Sequence, residues 1–450
     1  MMKKRTNNLI LFLIAILILP SITCSILKTK TESEQPPAET DLDGEDSLPE
    51  SEETNLPDTT GDEIEIVQTT AYLDVYGFWN IHGLLTNTAS YSVGRVEIEV
   101  NLLDENETLV FSEIFYSALF GLAPGESQPF SIRLPDTVST VSALDHYEIN
   151  ILQLERFEMG LIQVEPGGMS STSYEDGTYT ITGEVLNNST QPASIHSIKA
   201  ALYSEDNEII TTESCQVCTR YLDPGESGPF QFLIFGHPPE AVVDHFEVYL
   251  SVEPALPIEG FEAVFSEPVH TYTDPAGNFH IMGDIQNAGE KILDLQLLAT
   301  FYDQSRQVVG ASVYNLPLNS LLPGESAPYE IFLGGPTTAV DWSIQVDQAG
   351  SREVDSPSYV LSTSGNEKNT SEYLWSFSGN VVNDTDKTLR FILVVIGLRE
   401  IESGRLVGLA QSLKVGEFPT GSSIEYNLVV SPDPDLDSAA LEEFILIRGR

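Results

Sequence analysis

The sequence predicts an all-β protein of four tandem antiparallel β-sandwiches, because one turn, one strand pattern and one spacing recur about every hundred residues. In the turn, a proline fixes φ and the following glycine supplies the positive φ of a type II turn. An aromatic residue comes next, at Phe130, Phe230, Tyr329 and Tyr426. The turns are Pro124-Gly125-Glu126-Ser127, Pro224-Gly225-Glu226-Ser227, Pro323-Gly324-Glu325-Ser326 and a degenerate fourth copy, Pro419-Thr420-Gly421-Ser422.

A strand that contains a glycine precedes each turn. Alternation puts its large residues and its glycine on one face, and a glycine inside a strand marks a bulge or a close approach of backbone. His82 and His280 lie on the opposite face and are expected to point to solvent. The copies are Trp79-Asn80-Ile81-His82-Gly83 with Asn87, Tyr179-Thr180-Ile181-Thr182-Gly183 with Asn187, Phe279-His280-Ile281-Met282-Gly283 with Asn287, and Trp375-Ser376-Phe377-Ser378-Gly379 with Asn383.

Two further strands complete each unit. A long alternating strand ends in a polar hairpin, as at Asp104-Glu105-Asn106-Glu107, and a second alternating strand closes the unit. The closing strands carry Tyr147, Ile149, Ile151; Phe246, Val248, Leu250; Trp342, Ile344, Val346; and Phe444, Leu446. The glycine lies 41 residues before the turn proline in the first two units (83 to 124, 183 to 224) and 40 in the others (283 to 323, 379 to 419). Such units predict immunoglobulin-like sandwiches, with a small barrel as the alternative.

The first residues are typical of an export signal. Lys3-Lys4-Arg5 precedes an apolar stretch, Leu9 to Leu19, that is short for a membrane span. Residues 1–24 are therefore predicted to be a signal peptide. The placement of Cys24 resembles the lipobox of bacterial lipoproteins, which makes Cys24 a candidate for lipidation. A cleaved signal peptide without lipid and an uncleaved anchor are the alternatives.

Residues 25–66 are predicted to be a disordered acidic linker. Between residues 31 and 65 there are 14 Asp and Glu and no Lys or Arg, so this segment cannot bury enough apolar surface to fold. The four β-sandwich units are then assigned to residues 67–158, 159–256, 257–351 and 352–450. The formal net charge of −47 argues against a nucleic-acid partner.

The sequence contains few candidates for chemistry. It lacks a phosphate-binding Gly-Lys loop, a His-Glu-x-x-His motif and a Gly-x-Ser-x-Gly elbow, so we predict no catalytic residue, no cofactor and no metal ligand. Cys215 and Cys218 form a Cys-x-x-Cys pair, which we interpret as a disulfide; two free thiols and a redox pair are the alternatives. Asp433-Pro434-Asp435-Leu436-Asp437 could suggest calcium, but it lacks the EF-hand glycine and glutamate and is interpreted as a solvated loop.

The order of these landmarks resembles the FxLYD domain over about residues 66–450, in four copies. Parts of the motif that names this family occur in Asn101-Leu102-Leu103-Asp104, Ala201-Leu202-Tyr203-Ser204 and Thr300-Phe301-Tyr302-Asp303. The resemblance implies small immunoglobulin-like β-sandwiches of exported bacterial and archaeal proteins, without enzymatic activity and with roles in interactions at the cell envelope.

The sequence therefore predicts a non-enzymatic exported envelope protein whose β-sandwiches serve protein interaction or surface display. It would be anchored to the membrane at its N-terminus if Cys24 is lipidated, and its protein partner is unknown. The alternatives are an accessory subunit of a secreted enzyme or transporter, and a purely structural spacer.

Overall fold

A computed structural model of the chain describes residues 63–450, except 75, 105, 136–145, 158–161, 176, 239–240, 336 and 372–373, and except the side chains of 118–121. Cys24 and the predicted signal peptide lie outside the described residues. The described part is all-β, with antiparallel sheets, a 3-10 turn at Ser438–Ala440 and no α-helix in those ranges. The predicted fold class, tandem antiparallel β-sandwiches, is confirmed.

Unit one consists of two three-stranded sheets around a core that includes Ile81, Ile98 and Phe130. The sheets have the orders β1-β2-β5 and β4-β3-β6. Strand β1 starts three residues before the predicted boundary at 67, and Ile64 is buried in the core. The strands are β1 (Ile64–Leu73), β2 (Trp79–Asn87), β3 (Ser92–Leu103), β4 (Leu109–Leu122), β5 (Ser127–Arg133) and β6 (His146–Phe157).

Unit two has the same plan with two additional short strands. One sheet has the order β11-β13-β8-β7, and the other has the order β10-β9-β12 with β14 also paired to β9. The strands are β7 (Val164–Ser173), β8 (Tyr179–Asn187), β9 (Ala193–Tyr203), β10 (Ile209–Ser214), β11 (Val217–Cys218), β12 (Tyr221–Leu222), β13 (Ser227–Ile234) and β14 (His245–Pro254).

Unit three contains the sheets β15-β16-β20 and β19-β18-β21 and a small sheet β17-β22. Because β22 pairs with β17, the third unit extends past the predicted boundary at 351. The strands are β15 (Ala263–Thr273), β16 (Phe279–Asn287), β17 (Leu293–Asp294), β18 (Gln296–Tyr302), β19 (Val308–Asn315), β20 (Ser326–Leu333), β21 (Asp341–Val346) and β22 (Arg352–Glu353).

Unit four contains the sheets β24-β25-β28 and β23-β29-β26-β27. Its strands are β23 (Tyr359–Val360), β24 (Ser362–Thr370), β25 (Trp375–Val382), β26 (Leu389–Glu400), β27 (Leu406–Phe418), β28 (Ser423–Val430) and β29 (Leu441–Gly449).

The Pro-Gly turn is tied to the strand asparagine in every unit. In unit one the amide of Gly125 donates to the carbonyl of Asn87 at 2.8 Å, and Asn87 Nδ2 donates to the carbonyls of Tyr91 and Leu122. Asn187, Asn287 and Asn383 make the equivalent contacts, and all four asparagines are fully buried. The turn glycines have the φ values of 76° to 80° that a type II turn requires. The buried amide therefore fixes the distance between the glycine strand and the turn.

In the fourth turn the proline is not equivalent to the prolines of the other three turns but lies one residue earlier. Gly421, and not Pro419, defines the register, since the Gly421 amide donates to the Asn383 carbonyl at 2.7 Å. The Ser422 amide donates to Pro419 as the Glu126 amide donates to Ala123. Pro419 therefore takes the position of Ala123.

The strand glycine makes room for the aromatic residue of the turn strand. Gly83 is the cross-strand partner of Phe130, and a Cβ added at Gly83 would lie 2.5 Å from its ring. The pairs Gly183–Phe230, Gly283–Tyr329 and Gly379–Tyr426 repeat this arrangement. The predicted close approach thus involves an aromatic ring in all four units.

Candidate functional site

The three junctions between consecutive units are the places where the structure brings distant functional groups together. Each junction packs the glycine-containing sheet of one unit against the long hairpin of the next. This hairpin covers the outer face of the glycine-containing strand, where the side chains point away from the core of their own unit. His82, Thr182 and Met282, each directly before the strand glycine, are at most 4% exposed. The expectation that His82 points to solvent is therefore wrong, because the neighbouring unit supplies a second buried face.

The first junction is centred on His82. Its Nδ1 lies 3.0 Å from Thr212 Oγ1 and accepts the Thr212 amide at 3.2 Å, while Thr212 Oγ1 donates to the Phe130 carbonyl at 3.0 Å. Burial lowers the pKa of His82 to about 4. Tyr72 adds a hydroxyl contact of 2.8 Å with Thr211. His82 is thus a neutral, structural imidazole.

The second junction converges on one backbone carbonyl. Val308 O accepts both the Ser170 hydroxyl and the Thr182 hydroxyl, each at 2.5 Å. Tyr302 donates its hydroxyl to Glu184 Oε1 at 2.6 Å. The donors of these three hydrogen bonds are therefore all uncharged hydroxyl groups.

The third junction combines ion pairs with a shared apolar core. Arg399 donates from both terminal nitrogens to the two oxygens of Asp284, at 2.8 Å each. Arg448 forms a second ion pair with Glu325. Leu393 and Val395 of unit four belong to the core cluster of unit three, and Leu446 packs against it.

The closing strand of unit four consequently uses both of its faces. Ile445 and Ile447 pack on the core of unit four, whereas Leu446 packs on unit three. The alternation that grouped Phe444 with Leu446 therefore marks the junction in this unit, not the internal core.

Two histidines lie at the third junction in opposite electrostatic situations. His270 Nε2 is 2.8 Å from Asp433 Oδ2, and burial together with the charge of Arg405 lowers the His270 pKa despite this carboxylate. For His280, burial alone would lower the pKa, but Glu330 and Asp274 outweigh it and raise the pKa. His280 is largely buried against these partners, so the expectation that it points to solvent is also wrong.

The acidic loop of unit four is a structural element as well. Asp433 is 5% exposed and accepts the Asp435 amide in addition to its contact with His270. Asp437 caps the 3-10 turn by accepting the Ala439 amide. The interpretation of this segment as a solvated loop is wrong at Asp433. Within the described ranges, no cluster of three or more His, Cys, Asp or Glu side chains could hold a metal ion.

Cys215 and Cys218 lie together at the start of β11. Their Cα atoms are 5.9 Å apart, within the range that a disulfide needs, and their sulfurs are joined as a disulfide. Both side chains pack against the core of unit two. Lipidation of Cys24 concerns a residue outside the described part of the chain.

One contact recurs at all junctions with different chemistry, and sequence reasoning missed it. The residue directly after the strand glycine contacts residues at the end of the long strand of the next unit. Leu84 packs on the cluster that contains Tyr203, Glu184 accepts from Tyr302, and Asp284 pairs with Arg399. Tyr203 and Tyr302 are residues of the motif that carries the family resemblance, so the signal was present in the sequence as a repeated position.

In the part of the chain that the structure covers, no helix has the length and apolar character required to cross a bilayer. No family model matches the chain, and no curated protein matches it. The identification of the units as FxLYD domains therefore stays a prediction from sequence.

Similarities to solved structures are weak. Dimeric latent PorU from Porphyromonas gingivalis is 12% identical, with a TM-score of 0.13 over 64% of this chain and 33% of that one. The native conformation of E. coli alpha-2-macroglobulin is 9% identical, with a TM-score of 0.13 over 84% and 28%. An alpha-L-rhamnosidase from Streptomyces avermitilis, complexed with L-rhamnose, is 9% identical, with a TM-score of 0.11 over 86% and 57%. The chain spans less than two thirds of the length of each of these structures.

Proposed function

We propose that this protein is a non-enzymatic, exported envelope protein whose β-sandwiches are held in fixed relation to one another to present a surface to a protein partner. The observation that carries the proposal is the set of three junctions, each of which buries specific side-chain contacts between consecutive units. The signal-peptide pattern before Cys24 supports export, and the acidic segment after it supports a spacer that holds the folded part away from the membrane.

Fixed junctions favour a scaffold over a string of independent domains. Units joined only by a linker would leave these polar groups in water. Here the hydroxyls of Ser170 and Thr182 and the carboxylate of Asp284 make defined bonds to the following unit. Each such bond contributes about 0.5–1.5 kcal/mol for neutral groups and about 1.5–3 kcal/mol for charged ones, so several acting together oppose bending.

The first test concerns export and anchoring. The full chain is produced in a bacterial host together with the Cys24→Ala variant, and both are examined by intact mass and detergent partitioning. We expect the parent protein to begin at an acylated Cys24 and enter the detergent phase, and the variant to stay in the aqueous phase. An uncleaved cytosolic product would contradict export, and a soluble product cleaved elsewhere would contradict the lipid anchor.

A second test addresses the fixed arrangement and the partner. Spin labels on cysteines substituted at the exposed Glu113 and Asp206, in the Cys24→Ala background, report distances across the first junction. A narrow distribution is expected, and a broad one would contradict the scaffold. Affinity capture from the envelope then separates the alternatives: one stoichiometric enzyme indicates an accessory subunit, and no partner indicates a structural spacer.

A further inference from the structure

A cavity of about 360 Å³ opens at the first junction, between strands of units one and two. Its lining includes three basic side chains, Arg133, His196 and Lys199, and no acidic one. The whole chain has 68 Asp and Glu against 21 Lys and Arg. The charged side chains of the lining are therefore all basic, in an acidic chain. Two of them already have carboxylate partners, since His196 pairs with Glu253 at 2.6 Å and Arg133 lies 4.0 Å from Asp74.

Lys199 is the cation of this lining for which no ion pair is found among the described residues. Its Nζ donates to the Pro129 carbonyl of unit one at 3.0 Å, which uses one of three N–H groups. Among the described residues, no carboxylate forms an ion pair with it, and burial lowers its pKa to about 8. A partly buried ammonium group without a counterion is electrostatically costly, and an anion in the cavity would relieve that cost.

A second donor in the cavity lacks an acceptor. Ser117 is 8% exposed, and its buried Oγ has no hydrogen-bond partner among the described residues. An unsatisfied buried hydroxyl carries a desolvation penalty that a ligand acceptor would remove. Ser117 lines the same cavity as Lys199 and projects from the opposite unit.

The remaining walls favour an apolar ligand body. Phe115, Tyr116 and Phe130 line the cavity. Aromatic walls with a few donors resemble the usual composition of small-molecule sites. Inorganic phosphate would use the donors but leave these rings without contacts.

We propose that this cavity binds a small organic carboxylate with an aromatic or apolar body, whose carboxylate accepts hydrogen bonds from Lys199 and Ser117. Because the two donors belong to different units, the bound ligand would bridge the junction and stabilise it. This inference does not depend on export or on a protein partner, so its failure would leave the proposed function standing.

The test compares benzoate with benzamide, which has the same ring and no charge, by calorimetric titration of the full chain. Benzoate is expected to bind with one site per chain, and benzamide at least about tenfold more weakly, because hydrogen bonds to an ionised acceptor are the stronger ones. Equal affinity for the two compounds, or no binding of benzoate at about 10 mM, would overturn the proposal.

Variants locate the site. Lys199→Met keeps most of the apolar stem and removes the ammonium, and we expect it to lower benzoate affinity about tenfold or more. Lys414→Met, at an exposed position on β27, is the matched control and should bind as the parent does. Ser117→Ala removes the second donor without a charge and should weaken benzoate severalfold, which keeps the test valid if Lys199→Met fails to fold. Unchanged benzoate binding in either cavity variant would refute the assignment.

Discussion

The second and third junctions place equivalent positions in contact but stabilise them differently. At the second, a carboxylate on the glycine strand, Glu184, accepts one hydroxyl from Tyr302. At the third, the equivalent Asp284 accepts two charge-assisted bonds from Arg399, and the junction also has a shared apolar core. The repeated fold therefore fixes where the units meet, while the side chains at those positions decide how strongly the units are coupled.

The largest effect should follow from opening the shared core of the third junction. Leu393→Ala removes a side chain that is 9% exposed and packs on unit three, so the free energy of unfolding should fall by about 2–5 kcal/mol. Calorimetry should then show unit four melting ahead of unit three. Leu413→Ala is the control, since Leu413 is the cross-strand partner of Leu393 and is 59% exposed. Equal losses in the two variants would contradict the shared core.

Acid should weaken the first junction through His82, and the lowered pKa of His270 gives the third junction a loss of the same sign. The folded pKa of His82, about 4, lies below its unfolded value, so the unfolded chain binds the proton first. The contribution of neutral His82 to the free energy of unfolding is fully present above the unfolded pKa. It is lost as pH falls towards 4, by an amount on the order of 3 kcal/mol. Protonation would also turn Nδ1 into a donor facing the Thr212 amide.

Hydrogen exchange of units one and two at neutral and mildly acidic pH measures this loss. His82→Thr introduces the residue that occupies the equivalent position in unit two and should remove the pH dependence of the junction. His280 provides the internal contrast: its raised pKa stabilises the fold below the unfolded pKa, and this contribution disappears as pH rises through the folded value. A His82→Thr protein with unchanged acid sensitivity would rule out the imidazole as the cause.

Breaking the ion pair of the third junction should have an intermediate effect. Arg399→Met leaves Asp284 without its partner, and since both side chains are partly exposed we expect a loss of about 1–3 kcal/mol in denaturant unfolding. Arg390→Met breaks the pair with Glu417, whose side chains are 67% and 68% exposed, and should cost less than about 1 kcal/mol. The double variant Asp284→Glu/Arg399→Tyr imitates the second junction and should recover part of the loss. No difference between the Arg399 and Arg390 variants would show that the third junction gains nothing from this pair.

The smallest effect is expected at the second junction. Thr182→Val removes one of the two hydroxyls that donate to the Val308 carbonyl, and the Ser170 hydroxyl remains. The expected loss is about 1 kcal/mol, and adding Ser170→Ala should cost more than the first change, because the carbonyl then loses both donors. Strict additivity in this double-mutant cycle would mean that the two hydroxyls do not share an acceptor.

The sequence was sufficient to predict the β-sandwich units but not the contacts between them. Alternation, the type II turn and the strand glycine are local signals, and the structure places Gly83 and Asn87 where such signals predict them. Alternation along a strand does not show what covers the second face of its sheet. It therefore wrongly predicts that His82 and His280 point to solvent. One signal was available: the positions of His82, Thr182 and Met282 carry no charge in a strongly acidic chain, although a solvent-facing strand position there would commonly be charged.

The buried asparagine has a consequence for producing the protein in eukaryotic cells. Asn187-Asn188-Ser189 and Asn383-Asp384-Thr385 match the acceptor pattern for N-linked glycans. In the folded chain, the hydroxyls of Ser189 and Thr385 donate to the side-chain oxygens of Asn187 and Asn383 at 2.7 Å. The Nδ2 group of each asparagine already donates to two carbonyls in a fully buried site. A sugar attached to either nitrogen before folding would occupy the space of the Pro-Gly turn. Secretion from such cells should therefore yield misfolded chains unless Asn187 and Asn383 escape the transferase.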